Sequence, residues 1–367
     1  MLFLLAFLYP PALRAQESLL KDKDAVAPAT VRSEEVTFWN AADSVRLAGT
    51  LTLPPTGTRL AAVVLISGSG PTDRDETLGT YKVFKQLAEY LTGRGFAVLR
   101  YDDRGVGQST GVPFPRTTSA DYVRDALAAV RYLQSRPDID RRKVGLAGHS
   151  EGGMIAPAAA AQSREVAFIV SLAGSAVTGQ DVMRQQFRRR FGAARVDSAL
   201  VTKGIGFYDQ LFELAARGSD SATIRRTLTE TVRQLRTQLS PEDLFKLEIP
   251  PNEQPLLRGY ARSFTSPWSR YFLTYDPAPD WRRVRCPVLA VNGTLDTQVD
   301  ADQNLAAIER NLKAGRNNRF VIKRLDGLNH LFQRARTGHA SEYLSLPPEF
   351  DSGALLVIGD WLQKTVR

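Results

Sequence analysis

Residues 144–161 read VGLAGHSEGGMIAPAAAA. An apolar run of strand-like composition enters a glycine-flanked serine, and GMIAPAAAA leaves it with the composition of a buried helix. Between them GHSEG, residues 148–152, fits the pattern G-x-S-x-G. In that pattern a sharp turn from strand to helix pushes a serine hydroxyl out beyond the sheet. A chain of this length contains the pattern by chance roughly one time in ten at ordinary residue usage, so the flanks decide the reading. The bland alternative is an ordinary turn in which Ser150 caps the helix. A strand running straight in and a helix running straight out favour a nucleophile elbow with Ser150 at its tip.

Working outward, the alternation of strand and helix recurs. LAAVVLI (residues 60–66) and FAVLRY (96–101) are runs of β-formers suited to buried parallel strands, with helical patterns over 81–92 and 120–135. AFIVSLA from Ala167, CPVLAVNG (286–293) and RFVIKRL (319–325) continue the series, with helices expected over 302–314 and 352–365. VTFW (36–39) and VRLAGTLTLP (45–54) alternate apolar and polar residues and predict an antiparallel pair at the start. This order implies an α/β fold on a mostly parallel, doubly wound sheet. From 177 to 281 the alternation stops and long stretches of helical period take over, including FYDQLFELAARG. That segment is expected to be a helical lid inserted before the strand carrying the acid. The expected organisation is a signal segment over 1–15, a linker over 16–35, core over 36–176, lid over 177–281 and core again over 282–367.

The first fifteen residues, MLFLLAFLYPPALRA, are apolar, then proline-containing, then small, as in a secretory signal. The run is too short for a spanning helix, which needs about 20 apolar residues, so export to the periplasm or beyond is the expectation. The net charge of +9 comes from 48 basic and 39 acidic residues interspersed along the chain, which describes a solvated, mildly basic surface. No nucleic-acid partner and no membrane contact are expected, even for the basic run Arg188 to Arg190. One cysteine, Cys286, excludes an intrachain disulfide; ahead of Pro287 and an apolar run it reads as a buried thiol rather than a nucleophile.

A serine hydroxyl needs a neighbouring base, normally histidine oriented by a carboxylate. The chain has three histidines. His149 is expected to point away from Ser150, and His339, among polar residues, to sit on an exposed loop. His330 in LDGLNHLF follows a strand, where a catalytic loop at the carboxyl edge of the sheet belongs. Asp296, after the strand PVLAVNG, lies between Ser150 and His330 in the order serine, acid, histidine. Asp300 and Asp302 are fallback acids; either could cap the next helix, and Asp302 suits that task better. The oxyanion donors are expected to be the peptide N–H groups of Glu151 and of Ser69 in SGSGP, unless that stretch is a plain Gly-Pro loop. No cofactor is expected, since YDDRGVGQSTG lacks both G-x-G-x-x-G and a phosphate-loop lysine. No metal is expected, since H-E-x-x-H is absent. The sequon at Asn292 closes a presumed core strand, so no glycan is expected there.

Taken together, SGSGPTDRDE, YDDRGVGQSTG, GHSEGG, SPWSRYFLTYDPAP, VNGTLDTQV and GLNHLFQ resemble, in that order, exported bacterial α/β hydrolases related to the EstD-like esterases and the serine aminopeptidase group. The resemblance covers about residue 36 to the C-terminus. It implies the α/β-hydrolase fold, a triad of Ser150, Asp296 and His330, an oxyanion hole at Ser69 and Glu151, and a role for Asp103 and Arg104 in tying loops together. Many relatives have histidine where this chain has Ser67, which bears on loop geometry. The expected activity is hydrolysis of a small acyl ester through an acyl-enzyme on Ser150. A serine aminopeptidase or amidase using the same triad is the alternative, with Glu213 or Glu230 as anchor for an amino terminus. A non-catalytic binding module ranks third. The segment's aromatics, Phe207, Tyr208, Phe212, Trp268, Tyr271 and Phe272, either line an acyl pocket or pack its helices together.

Overall fold

The structure, a computed structural model, describes residues 31–193 and 196–366. The expected signal segment and most of the expected linker lie outside these residues. Ten strands, β1 (Arg32–Asn40), β2 (Val45–Leu53), β3 (Leu60–Ile66), β4 (Thr77–Leu78), β5 (Tyr81–Lys82), β6 (Ala97–Tyr101), β7 (Ile139–His149), β8 (Ile169–Leu172), β9 (Val288–Gly293) and β10 (Phe320–Leu325), occur among the described residues. Eight of them form one sheet in the order β1-β2-β6-β3-β7-β8-β9-β10. β1 pairs antiparallel with β2 and β2 with β6, and every later pair is parallel.

β1 begins at Arg32, inside the stretch expected to be linker, because its register with β2 continues unbroken from Asn40↔Val45 to Arg32↔Leu53. Those added residues, RSEE, are polar, three of the four charged, and mostly exposed on an edge strand, a common guard against edge-to-edge pairing. β3 shows how the sheet is buried on both faces. Ala62, Val64 and Ile66 join one apolar cluster and Ala61, Val63 and Leu65 the other, as the two-residue period of a strand requires. Helices α1 (Val83–Gly93), α2 (Ser119–Ser135) and α3 (Gly152–Gln162) link the early parallel strands. Residues of α2 and α3 pack on the first face and those of α1 on the second. After β3 the chain crosses to β6 on one side and then to β7 on the other. Such a reversal of strand order opens a crevice outside the carboxyl ends of the strands.

Between β8 and β9 lie α4 (Gly179–Ala193), α5 (Ser198–Ala216), α6 (Ser221–Gln238), α7 (Pro241–Lys246), α8 (Gln254–Phe264), α9 (Pro267–Thr274) and α10 (Ala278–Arg283). Phe207, Tyr208, Phe212, Tyr260, Phe264, Trp268 and Phe272 belong to a separate apolar cluster there. Phe187 stacks on Tyr208 at 3.5 Å between ring centroids, and Trp268 on Phe272 at 5.1 Å. α11 (Ala301–Ala314) and α12 (Ser352–Val366) complete the two faces of the sheet. Cys286 is partly buried, and burial pushes its thiol up to about 11, which suits a packing residue.

Candidate active site

Ser150 stands at the junction of β7 and α3 with a positive φ of 55°, a conformation uncommon for a residue with a side chain. Glycines on either side make the turn possible. A Cβ on Gly148 would meet the Gly152 carbonyl oxygen at 2.0 Å, and one on Gly152 would meet the Ile66 carbonyl oxygen at 2.1 Å. The Ser150 N–H donates to the Leu172 carbonyl at 2.9 Å, and the Gly153 N–H to the Ser150 carbonyl at 3.0 Å. Chain direction and register therefore place the serine beyond the carboxyl end of the sheet, between β3 and β8.

The carboxyl ends of β9 and β10 bring in the acid and the histidine. His330 Nδ1 lies 2.7 Å from Asp296 Oδ2, with both residues buried. The other carboxylate oxygen of Asp296 accepts the N–H groups of Gln298 at 2.8 Å and Val299 at 2.9 Å, so the carboxylate has one orientation. The histidine loop is equally fixed. Asn329 Oδ1 accepts the N–H groups of Leu331 and Gln333, and Gln333 Nε2 donates to the carbonyls of Tyr343 and Pro347. Asn329 and Gln333 belong to the GLNHLFQ motif, but no role for them is legible before the loop is folded.

Ser150, His330 and Ser69 line one cavity of about 310 Å³, whose wall also includes Gly70, Asp73, Glu76, Leu78, Val106, His149, Gln298 and Leu331. Glu151 directly follows the serine at the head of α3, where a peptide N–H has no partner one turn earlier in the helix. The site residues named from the sequence are thus gathered at one edge of the sheet. Ser67 donates through Oγ to Asp103 at 2.8 Å, and the Thr72 N–H donates to the same carboxyl at 3.2 Å. The serine-rich loop is therefore held by Asp103. Burial, with Asp125 and Glu151 nearby, keeps the Asp103 carboxyl well above the usual range, against the pull of Ser67 and Thr72.

Several expectations need correction. His149 does not turn away; it shares the cavity wall with Ser150, and its ring lies 4.7 Å from that of His330. His339 is half-buried beside a short 3₁₀ turn, Ala340–Ser345, rather than exposed. Asp300, not Asp302, caps α11, accepting the Gln303 N–H at 2.8 Å. Burial pushes the Asp300 carboxyl up, but that N–H and the Arg189 guanidinium more than offset it and hold it below its ordinary value. Asp302 is exposed and pairs with Arg324. Glu213 and Glu230 lie outside the cavity, paired with Arg217 and Arg233. None of the six named aromatics from 207 to 272 lines the cavity; five of them are spent on the apolar cluster, whose helices turn toward one another. Of the basic run, Arg189 and Arg190 pair with Asp300 and Glu248. Asn292 is buried, its Nδ2 donating to the Val299 carbonyl at 2.8 Å.

One contact ties the helical segment to the elbow. The Trp268 indole N–H points between both carboxylate oxygens of buried Glu151, at 3.0 Å from each, and Ser119 Oγ donates to the same group. Trp268→Phe keeps the ring but leaves a buried carboxylate with one donor fewer. It is expected to lower unfolding free energy by about 1–3 kcal/mol, read as an earlier urea midpoint; an unchanged midpoint would show that water replaces the indole at no cost.

A model of the alpha/beta hydrolase family matches residues 63–341. This chain belongs to the alpha/beta hydrolase family. Within the family, the Thermotoga maritima protein named esterase EstD is 31% identical over 309 residues, covering 84% of this chain and 62% of that protein. This hydrolase therefore matches less than two thirds of that relative's length. Among solved structures, an esterase from Pyrococcus furiosus superposes with a TM-score of 0.55 at 15% identity, covering 95% of this chain and 96% of that one. Est1E from Butyrivibrio proteoclasticus, with ferulic acid bound, gives 0.51 at 18% identity, covering 90% of this chain and 99% of that one. Those two likenesses are of fold. The fold class and the likeness to EstD expected from the sequence are borne out.

Proposed function

We propose that this alpha/beta hydrolase cleaves carboxylic esters through an acyl-enzyme on Ser150. The observation that carries the reading is the His330–Asp296 contact at 2.7 Å, made by a histidine that shares a cavity with an elbow serine. With Nδ1 donating to Asp296, Nε2 of His330 is the basic nitrogen offered to the serine. His330 takes the Ser150 proton as Oγ attacks the acyl carbon, then returns it to the departing alkoxide. Water repeats the sequence on the acyl-enzyme and releases the acid. The N–H groups of Ser69 and Glu151 receive the charge that develops on the carbonyl oxygen. The name of the EstD relative supports an ester as the substrate class. The acidic residues first named as anchors for an amino terminus, Glu213 and Glu230, lie outside the cavity.

A cavity of about 310 Å³ is at the small end of ligand sites. Acetyl to hexanoyl p-nitrophenyl esters are therefore expected to exceed decanoyl and longer ones by at least about tenfold in kcat/KM, with aminoacyl amides slower still. A fluorophosphonate probe is expected to label Ser150 and to fail on Ser150→Ala. Labelling that survives this substitution, or ester turnover that survives it, overturns the proposal.

A further inference from the structure

The residue that precedes the nucleophile does more than fill the turn. His149 Nδ1 lies 2.8 Å from Glu76 Oε1, and its Nε2 lies 2.9 Å from the backbone carbonyl oxygen of His330. Both partners accept. Facing a carboxylate and a carbonyl, a neutral imidazole with its one N–H can satisfy only one of them, so the second contact requires the second proton. The same Glu76 oxygen accepts the Gly68 N–H at 2.9 Å, and Gly68 directly precedes Ser69. A single buried ring thus connects the loop after β3, through Glu76, to the loop after β10, through the His330 carbonyl.

We propose that His149 is a positioning residue, held as an imidazolium that fixes the Gly68–Ser69 loop and the His330 loop relative to each other across Ser150. The proposal rests on the ester-hydrolase reading for its kinetic consequences, but not for the state of the ring. The groups facing that ring are Glu76 from the segment between β3 and α1, His330 from the loop after β10 and Asp296 from the loop after β9; Asp73 lies on the same cavity wall. Phe332 adds an apolar edge at 6.2 Å. Burial works against the charge, yet the Glu76 carboxylate and the His330 carbonyl outweigh it and hold His149 above its ordinary value. The positive charge sits beside His330, which must itself become positive as it takes the serine proton; Glu76 neutralises the first charge and so permits the second. Deprotonation of His149 in alkali removes one of the two contacts and frees one loop.

With only three histidines in the chain, the state of each can be read directly by NMR titration of full-length protein labelled in the imidazole nitrogens, with His339→Ala and His330→Ala spectra for assignment. His149 is expected to keep protons on both nitrogens at a pH where an ordinary imidazole has lost one. Glu76→Gln, which keeps the shape and removes the charge, is expected to shift His149 titration to lower pH. It should lower kcat toward a short ester by about tenfold to a hundredfold with KM within about twofold, and move the alkaline limb of kcat to lower pH in step. His149→Phe should show the same drop in kcat with that limb gone. A His149 that is neutral near pH 7, or a Glu76→Gln enzyme with unchanged kcat and pH profile, overturns the proposal. Should His149→Phe fail to fold, the nitrogen titration of the unaltered protein still decides. Failure of Ser150 to take the fluorophosphonate would instead remove the hydrolase reading, leaving the His149 titration to be judged separately.

Discussion

Asp296→Asn is expected to lower kcat toward a short p-nitrophenyl ester by about 10⁴-fold while leaving the protein folded. The geometry dictates how. One oxygen of Asp296 accepts two backbone N–H groups, from Gln298 and Val299, and the other accepts His330 Nδ1–H. An asparagine must keep its carbonyl toward the two N–H donors, because its NH2 there would face hydrogen against hydrogen. Its NH2 then points at His330 and takes Nδ1 as acceptor. The imidazole proton moves to Nε2, the nitrogen that should receive the serine proton, and the base is lost without loss of shape. Retention of kcat to within about tenfold of the parent would mean that Asp296 is not the orienting acid. Fluorophosphonate labelling should slow in proportion, because it uses the same proton transfer.

The second large effect is on stability. Arg104 and Asp125 are both buried, and the guanidinium reaches the carboxylate through Nε and Nη2, each contact at 2.6 Å. Nη2 also donates to Asp43 at 2.8 Å and to the Asp121 carbonyl at 3.0 Å. Arg104→Met fills similar space but leaves Asp125 with Asn40 as its remaining side-chain donor. Removing one member of a buried pair typically costs about 3–5 kcal/mol, and that loss is expected near neutral pH in chemical denaturation. Burial already holds the Asp125 carboxyl above its ordinary value, against the pull of Arg104, so without the arginine it rises further. A carboxyl that titrates higher folded than unfolded binds more protons in the folded state, and stability then falls as pH rises through that interval. The deficit of Arg104→Met should therefore be larger at about pH 7 than at about pH 5; a deficit independent of pH would show that Asp125 is not left charged and unpaired.

Much of the fold and site could be read from local pattern. Ser150, Asp296 and His330 each follow a run of apolar β-formers, and strand ends are where an open parallel sheet presents its reactive side chains. Their chain order narrowed the acid and base further. What escaped was set by tertiary partners. Glu76 sits in a polar segment with no periodicity, and only folding brings its carboxylate to His149 and Gly68. The β4–β5 hairpin is two residues on two, too short to show alternation. On paper Asp302 is the better cap of the two; the helix start at Ala301 gave the task to Asp300 instead. The aromatics of residues 207–272 have the spacing of a lining and of a core alike, and the facing helices decided for the core.

That separate core also bears on how the molecule can change over evolutionary time. The helices from α4 to α9 bury their large side chains mainly against one another, meeting the sheet-bearing part at a few residues such as Met154 and Val299. Polar fastening adds the Trp268–Glu151 contact, the Gln186 amide on the Gln298 carbonyl and Arg189 on Asp300. A unit that is packed within itself and pinned at a few places can drift in sequence, length or surface chemistry while the elbow and its histidine stay put. The cavity wall, by contrast, is built from loops that also hold the reacting groups, so substrate preference here is harder to retune without touching the chemistry.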